Sequence, residues 1–548
     1  MTHQIPHAAE FPVRSRRQFL EAGAAIGLGA SLLSHASWAA DSSPVKGGTL
    51  VANVLPEPAG LVAGINISQP AVVISASIFD GLVRYDKDFK PQPQLAESWS
   101  ESKDGKTITF KLRRGVKWHD GHPFTSADVQ YSLLEVVKKV HPRGSSTFGR
   151  VTAVETPDEH TVVLRLDGPS VVLWSALFGT ETQIVPKHLY AGTNVMANPW
   201  NTKPVGTGAF VFKEWVRGSH VVLERNPNYW DSGKPLLDRV VFKFIPDAGA
   251  RAAALESGEL HYAVTNPVPE SDVERLRRNP ALVVDTKGWE APAPMFFIDF
   301  NMQRPQFQDV RIRRAFAHAL DRKALADNIW YGLAKPAEGP VPSYQKQFFK
   351  PGLPQYAFDP AQAEKLFDEA GLKRGADGVR LRINHMVSPY GPVYQRAAEY
   401  TRQALGKVGV ELTLVNFDLP TWIRKMYTDY DFDTAQGWYS AYPDPQIGVE
   451  RRYWSQNIRK GSVSSNAARY SSTEMDRIIQ GIHDEADVNK RRELIGQMQQ
   501  LAQVDVPSIN LLELNFYAIY SKRLQGLREG PLRFYSTLAD AWLAPPAA

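Results

Sequence analysis

The most informative stretch of the sequence is Leu112-Arg113-Arg114-Gly115-Val116-Lys117-Trp118-His119-Asp120-Gly121-His122-Pro123-Phe124. Before it, residues 107–112 alternate polar and apolar side chains, which is the period-two pattern of a strand. After it, Thr125 and Asp128 have the spacing of a capping box, which predicts the start of a helix. Residues 159–166 alternate again behind a Pro-Asp turn, so we expect two antiparallel strands with a helix between them in sequence.

The length and composition exclude several classes of protein. A chain of 548 residues is too long for one hydrophobic core, so two or three packed units are expected. The 63 Lys and Arg against 58 Asp and Glu give a formal charge of only +5, and the basic residues are scattered, so no nucleic-acid partner is expected. The sequence has no Cys, which excludes a disulfide framework, thiolate-metal sites, a thiol nucleophile and a lipid anchor on Cys.

The first 39 residues have the pattern of a twin-arginine signal peptide. Arg14-Ser15-Arg16-Arg17-Gln18-Phe19-Leu20 precedes a Gly/Ala-rich apolar stretch from Ala22 to Leu33 and the small-residue pattern Ser37-Trp38-Ala39. The alternative is an amphipathic helix of the folded domain. It does not explain why a Gly/Ala run follows two arginines and precedes a cleavage-like site. We therefore expect an exported protein that is free in the periplasm and carries no lipid anchor.

The rest of the chain mixes strands and helices, which indicates an α/β fold. Strands are predicted at 47–54, 295–300, 380–384, 410–416 and 509–514, and helices at 71–82, 393–406 and 491–504. The order strand, helix, strand over 380–416 is that of a βαβ unit. Asp309 should cap a further helix with its apolar face on Ile312 and Phe316, leaving the basic side chains Arg311, Arg313 and Arg314 on a solvated surface.

Several motifs resemble the solute-binding proteins of peptide, opine and nickel ABC importers, known as family 5. The resemblance starts from the stretch 112–124 and covers roughly residues 47–535. The other matching runs are Phe79-Asp80-Gly81-Leu82-Val83-Arg84-Tyr85-Asp86, Gln94-Leu95-Ala96-Glu97-Ser98-Trp99, Pro204-Val205-Gly206-Thr207-Gly208-Ala209-Phe210, Asn226-Pro227-Asn228-Tyr229-Trp230, Asp309-Val310-Arg311-Ile312-Arg313-Arg314-Ala315 and Asp505-Val506-Pro507.

The resemblance implies a two-lobed α/β periplasmic-binding-protein fold, the Venus flytrap, of the large type with an extra subdomain in lobe one. Lobe one would span 41–290 with the extra subdomain at about 90–203, lobe two 291–515, and a C-terminal return to lobe one 516–548. Met295–Phe300 and Ile509–Asn515 would be the two hinge strands. Such a protein binds its solute between the lobes without a cofactor, acts as a monomer, and delivers the solute to an inner-membrane permease driven by a separate ATPase.

Two charged anchors of the dipeptide-binding relatives are replaced in this sequence. In those relatives an aspartate three residues after a Gly-Trp pair binds the peptide ammonium, and here that position is Ala441. An arginine before a Pro-Tyr pair binds the peptide carboxylate, and here that position is Ser388. Asp444 offers a replacement carboxylate, but its Asp-Pro sequence favours a local turn role. Tight dipeptide binding is therefore not expected.

The remaining cleft residues are predicted to be aromatic and polar without charge. They are Trp289, Trp438, Tyr439 and Tyr442, with Asn66, Ile67 and Ser68 on the facing lobe by position in the family. Such groups suit sugar-like, amide-rich or conjugated solutes, or a longer peptide held by its backbone. Core packing is the alternative for each aromatic side chain, and a nickel chelate stays open as cargo.

Other functions are weaker interpretations of the same sequence. The His119-Asp120-Gly121-His122 run looks like a metal pair, but the resemblance places it in a strand-to-turn segment, so no metal site is expected. A periplasmic enzyme exported in the folded state is the alternative function, although the chain has no G-x-S-x-G, H-E-x-x-H or dinucleotide-binding motif. A sensor that presents its solute to a chemoreceptor would use the same cleft.

Overall fold

The computed structural model describes residues 43–463 and 465–546, so the predicted signal peptide at 1–39 lies outside the described residues. The fold is α/β and two-lobed, and each lobe is built on one large sheet. We call the part on the seven-stranded sheet lobe one and the part on the six-stranded sheet lobe two. Within the described ranges, no helix is both long enough and apolar enough to cross a bilayer.

The sheet of lobe one takes strands from both ends of the chain. In spatial order its strands are Leu282–Asp285, Ala518–Ser521, Tyr262–Ala263, Thr49–Asn53, Arg239–Lys243, His220–Arg225 and Phe210–Val216. Thr49–Asn53 is parallel to both of its neighbours, and the other pairs are antiparallel. The C-terminal strand Ala518–Ser521 therefore completes a sheet that the N-terminal half of the chain begins.

The sheet of lobe two contains the predicted βαβ unit. In spatial order its strands are Ala334–Pro336, Ser508–Leu514, Pro294–Phe300, Thr434–Ser440, Leu381–Met386 and Val410–Val415. Leu381–Met386 and Val410–Val415 pair in parallel, and helix Pro392–Lys407 connects them. Every residue of Pro294–Phe300 and Ser508–Leu514 is buried, which agrees with their nearly continuous apolar sequences.

A four-stranded antiparallel sheet is inserted between strands of lobe one. Its strands are Ala96–Glu101, Thr107–Leu112, Thr161–Leu166 and Val151–Asp158. The two strands predicted around residues 112–124 pair with each other, as Thr107–Leu112 with Thr161–Leu166. Helix Ser126–Tyr131 begins where the capping box predicted it, and the backbone N–H of Thr125 donates to the Asp128 carboxylate at 2.9 Å.

The longer helices pack around these sheets, and short ones follow the connections. Helices of eight residues or more are Gln69–Ile78, Ala248–Ser257, Glu270–Arg277, Val310–His318, Pro360–Glu369, Pro392–Lys407, Thr473–Asp484 and Val488–Asp505. Shorter ones are Gly144–Thr147, Val171–Trp174, Lys187–Tyr190, Leu419–Arg424 and Pro445–Gly448. Gln69–Ile78, the helix predicted at 71–82, has buried side chains on every side. Its C-terminal turn packs directly on the glycines of the Pro204–Phe210 run, where a Cβ on Gly206 would lie 1.9 Å from the Ile78 carbonyl oxygen.

Two expectations differ from the structure. The predicted hinge strands both lie inside the sheet of lobe two and pair with each other, so the chain crosses between the two large sheets in the short segments 286–293 and 515–517. Arg313 is not on a solvated surface: it is buried, and its guanidinium donates to the carbonyl oxygens of Asp505 and Val506. Arg313 thus satisfies carbonyl groups at the C-terminus of the helix Val488–Asp505.

Candidate functional site

A cavity of about 380 Å³ lies between the insertion of lobe one and the part of lobe two that follows strand Thr434–Ser440. Lobe one contributes residues from the segments 142–150 and 167–172, and lobe two contributes residues from 446–465 and 480–491. Most of these residues lie on short helices and their connections. Because both lobes line it, a molecule held in this cavity contacts both of them at once.

Charged groups line this cavity, whereas the sequence predicts a cleft of uncharged aromatic and polar groups. On the lobe-one side, Arg143 donates two hydrogen bonds to the Glu181 carboxylate, at 2.7 and 2.6 Å, and both side chains are buried. Burial alone would raise the pKa of Glu181, but Arg143 beside it lowers that pKa. His141 lies behind this pair, and burial lowers its pKa to about 4, so its ring is neutral at neutral pH.

Tyr442 brings lobe two into contact with this ion pair. Its ring lies 4.5 Å from the Arg143 guanidinium, in the geometry of a cation–π contact. The residue has a positive φ of 56°, and its backbone N–H donates to the Pro292 carbonyl oxygen. Tyr442 therefore connects the predicted Gly-Trp segment to Arg143, which the sequence had not singled out.

On the lobe-two side, two further pairs are satisfied within the protein. Arg491 binds the Asp444 carboxylate through two hydrogen bonds of 2.8 and 2.7 Å. The His483 ring lies 2.6 Å from Glu450. Burial alone would lower the pKa of His483, but the hydrogen bond to Glu450 raises it above its usual value.

Arg451 differs from these paired groups of the lining. Its Nε donates to the Gly448 carbonyl oxygen at 3.0 Å, and the side chain is half-buried. Burial lowers its pKa to about 10, and the neighbouring Arg143 contributes to the same shift. Among the described residues, no carboxylate forms an ion pair with it.

Of the predicted site residues, Ile67 lines the cavity and its neighbours Asn66 and Ser68 form the turn before helix Gln69–Ile78. The Asn66 side chain accepts from the Ser68 backbone N–H and donates to the Gly60 carbonyl oxygen. These two bonds are local, so the structure gives Asn66 a role in shaping the turn that presents Ile67.

Trp289 and Trp438 lie together in an aromatic cluster beside the crossing segments. Both pack edge-on against Phe516, with ring centroids 5.6 and 5.2 Å away. The Nε1 of Trp289 and the Oγ of Ser388 are buried without a hydrogen-bond partner among the described residues. Unpartnered buried donors are uncommon in folded proteins, and a bound molecule is one way to satisfy them.

The remaining predicted residues are packed inside lobe two. The Tyr439 hydroxyl lies 2.7 Å from the Pro340 carbonyl oxygen and 3.1 Å from Asn510 Oδ1. Ala441 is fully buried. The Asp444 carboxylate is buried, bonded to Arg491, and accepts from the Gln446 N–H at the start of helix Pro445–Gly448. These three residues therefore lie in the core of lobe two and do not line the cavity.

A surface cluster joins part of the His119–His122 run to a distant histidine. His188 Nε2 lies 2.7 Å from the Asp120 carboxylate, and the rings of His122 and His188 stack with centroids 4.2 Å apart. One ligand atom from each of Asp120, His122 and His188 lies within 4.8 Å of the others. His119 is separate from this cluster, because its ring bonds the backbone of Gly206 and Gly208.

Comparison with known proteins shows the family of this chain. Residues 90–459 match the profile of bacterial extracellular solute-binding proteins, family 5 Middle. The oligopeptide-binding protein AppA of Bacillus subtilis is 26% identical over 520 residues, which cover 91% of this chain and 92% of that protein. The dipeptide-binding protein of Pseudomonas aeruginosa is 25% identical over 482 residues, covering 83% and 88%.

Solved structures show the same fold. The structure of B. subtilis AppA in complex with a nonapeptide superimposes with a TM-score of 0.79 at 25% identity, covering 92% of this chain and 100% of that chain. NikZ from Campylobacter jejuni, in complex with Ni(L-His), superimposes with a TM-score of 0.78 at 23% identity, covering 88% and 96%. The chain is a member of the bacterial extracellular solute-binding proteins, family 5.

Proposed function

We propose that this receptor captures a peptide-like or other small organic solute in the cavity between its lobes and delivers it to an inner-membrane permease driven by a separate ATPase. The observation that carries the proposal is the cavity itself, since residues of both lobes line it. A solute that contacts both lobes binds the closed form better than the open form, and this difference is what drives closure. The peptide-binding relatives support a peptide as the first solute class to test.

The finer features of the proposal come from the sequence. Residues 1–39 would direct export by the twin-arginine route, and the mature protein would act in the periplasm as a monomer without a cofactor. The lobes would follow the boundaries 41–290, 291–515 and 516–548, with the extra subdomain at about 90–203. Closure would bend the short crossings 286–293 and 515–517, because each connects one large sheet to the other.

A closure measurement tests the proposal directly. The sequence has no Cys, so two introduced cysteines are the only sites for thiol-reactive dyes. The pair Lys103→Cys and Lys460→Cys places one exposed label on each lobe, and the pair Lys103→Cys and Lys139→Cys places both on lobe one as the matched control. Ligand-free protein, prepared by unfolding and refolding, is mixed with a casein peptide digest or with a small-molecule extract of growth medium.

Energy transfer between the dyes should change for the two-lobe pair and stay constant for the control pair. Mass spectrometry of the captured material then identifies the solute class. If neither mixture changes the two-lobe signal and nothing is captured, the proposed role of the cavity is wrong. Chemical conversion of a captured molecule into a new product would instead support the enzyme alternative.

A further inference from the structure

Most of the charges around the cavity are balanced within the protein. Four groupings within the protein neutralise most of the charged lining residues at distances of 2.6–3.3 Å. These groupings are Arg143 with Glu181, Arg491 with Asp444, His483 with Glu450, and Arg150 with Asp167 and Asp484. Three charged lining residues, Arg451, Arg459 and Glu485, have no such partner among the described residues. Glu485 accepts a hydrogen bond from the Asp487 backbone N–H, and Arg459 is exposed. Arg451 is therefore the half-buried arginine of the lining without an ion pair.

One hydrogen bond holds the Arg451 side chain at the cavity. Its Nε is fixed on the Gly448 carbonyl oxygen, so its two terminal nitrogens are left over. Neither terminal nitrogen is among the fully buried unpartnered atoms of the described residues, and the residue belongs to the cavity lining. Glu181 is an acid near enough for Arg451 to affect its pKa, but both of its oxygens already accept from Arg143.

A desolvated cation without a counter-ion is unfavourable, and an anionic ligand removes that cost. A guanidinium matches a carboxylate in particular, because its two parallel N–H groups bond the two carboxylate oxygens at once. We propose that Arg451 binds a carboxylate of the solute, so that this receptor selects carboxylic acids.

This inference rests on the proposed function and deepens it by naming the solute class. The carboxylate has two possible sources, the C-terminus of a peptide and a free organic acid. Arg451 takes a different position from Ser388, where the sequence comparison expected a carboxylate-binding arginine and found none. The binding site for the solute carboxylate would therefore lie at Arg451 in this protein, and not at position 388.

The test compares capture of natural mixtures before and after their carboxylates are blocked. Ligand-free wild-type protein is exposed to a casein peptide digest and, separately, to a growth-medium extract, each untreated and methyl-esterified. The variants Arg451→Gln and Arg451→Lys are treated in the same way. Arg477→Gln is the matched control, because Arg477 is an exposed arginine of lobe two outside the cavity lining. Thermal unfolding checks that every variant folds.

Wild-type protein and Arg477→Gln should capture acids from an untreated mixture and at least tenfold less from its esterified form. Arg451→Gln should lose at least tenfold of the untreated capture, and Arg451→Lys should recover part of it. The mixture that yields the ligand identifies the carboxylate as peptide or organic acid. Equal capture after esterification, or equal losses for Arg451→Gln and Arg477→Gln, would overturn the carboxylate assignment while the receptor function stands. Capture of nothing from any mixture would overturn both.

Discussion

Arg491 and Asp444 form a bidentate ion pair in which both side chains are at most 2% exposed. The pair connects the helix Val488–Asp505 to the first residues after the strand Thr434–Ser440. Asp444 also caps the helix Pro445–Gly448, which carries part of the cavity lining. The pair therefore fixes the segment from which Arg451 reaches the cavity.

Removing one member of this pair should destabilise the protein strongly. Arg491→Met leaves a buried carboxylate without a counter-charge, which costs about 3–5 kcal/mol. Arg477→Met is the matched control, because it breaks an exposed pair with Glu474 and should cost less than about 1 kcal/mol. Urea unfolding followed by circular dichroism measures both. Similar midpoints for the two variants would show that the buried pair contributes no more than an exposed one.

The charged carboxylate, rather than lost packing, should account for most of that cost. Adding Asp444→Asn to Arg491→Met removes the buried charge and keeps a side chain that caps helices well. The double variant should therefore be more stable than Arg491→Met alone. If it is less stable by the sum of the two single losses, the two residues act independently and the ion pair is not the cause.

Arg451→Gln should stabilise the ligand-free protein. The substitution removes a half-buried cation that lies near Arg143 and has no acid partner among the described residues, so we expect a gain of about 1 kcal/mol in the free energy of unfolding. Ligand addition should reverse the order, because the wild type gains more from binding. Urea unfolding of both proteins, with and without the captured acid, measures this reversal in the order of stability. Destabilisation of the ligand-free variant would mean that Arg451 serves the fold.

The local elements of this protein could be predicted from its sequence because their signals are local. The strand Thr107–Leu112, the capping box at Thr125 and the βαβ unit over 381–415 each depend on residues close together in the chain. The prediction of a solvated Arg313 was wrong because the carbonyl groups that bind its guanidinium lie about 190 residues later in the chain. No spacing pattern around Val310–His318 contains that information.

The candidate site was harder to predict for a related reason. Each ion pair of the cavity joins residues that are far apart in sequence, such as Arg143 with Glu181 and Arg491 with Asp444. Arg451 has no recognisable motif, and its importance depends on which other charges are already paired. The sequence comparison instead pointed to Ala441 and Asp444, which the fold uses in the core.

The buried position of Ala441 changes what restoring the lost anchor should do. Ala441 is 0% exposed, and its backbone N–H donates to the Ala293 carbonyl oxygen. Ala441→Asp would bury a carboxylate with no cation prepared for it, so we expect a loss of several kcal/mol in stability and no gain in dipeptide affinity. Ala441→Ser is the smaller control. Calorimetry with a dipeptide and thermal unfolding measure the two effects, and tighter binding by a stable Asp variant would contradict this expectation.

Acid should destabilise the protein between pH 6.5 and 4 because of its buried histidines. Burial lowers the pKa values of His119, His141 and His385 to about 4, whereas the unfolded chain titrates near 6.5. As the pH falls through this window the unfolded state binds protons that the folded state excludes, so stability is lost by up to about 1.4 kcal/mol per pH unit for each histidine. His385→Gln should make the slope shallower by about that amount. Urea midpoints at half-unit pH steps measure the slopes, and equal slopes for wild type and His385→Gln would show that His385 takes up its proton in the folded state as well.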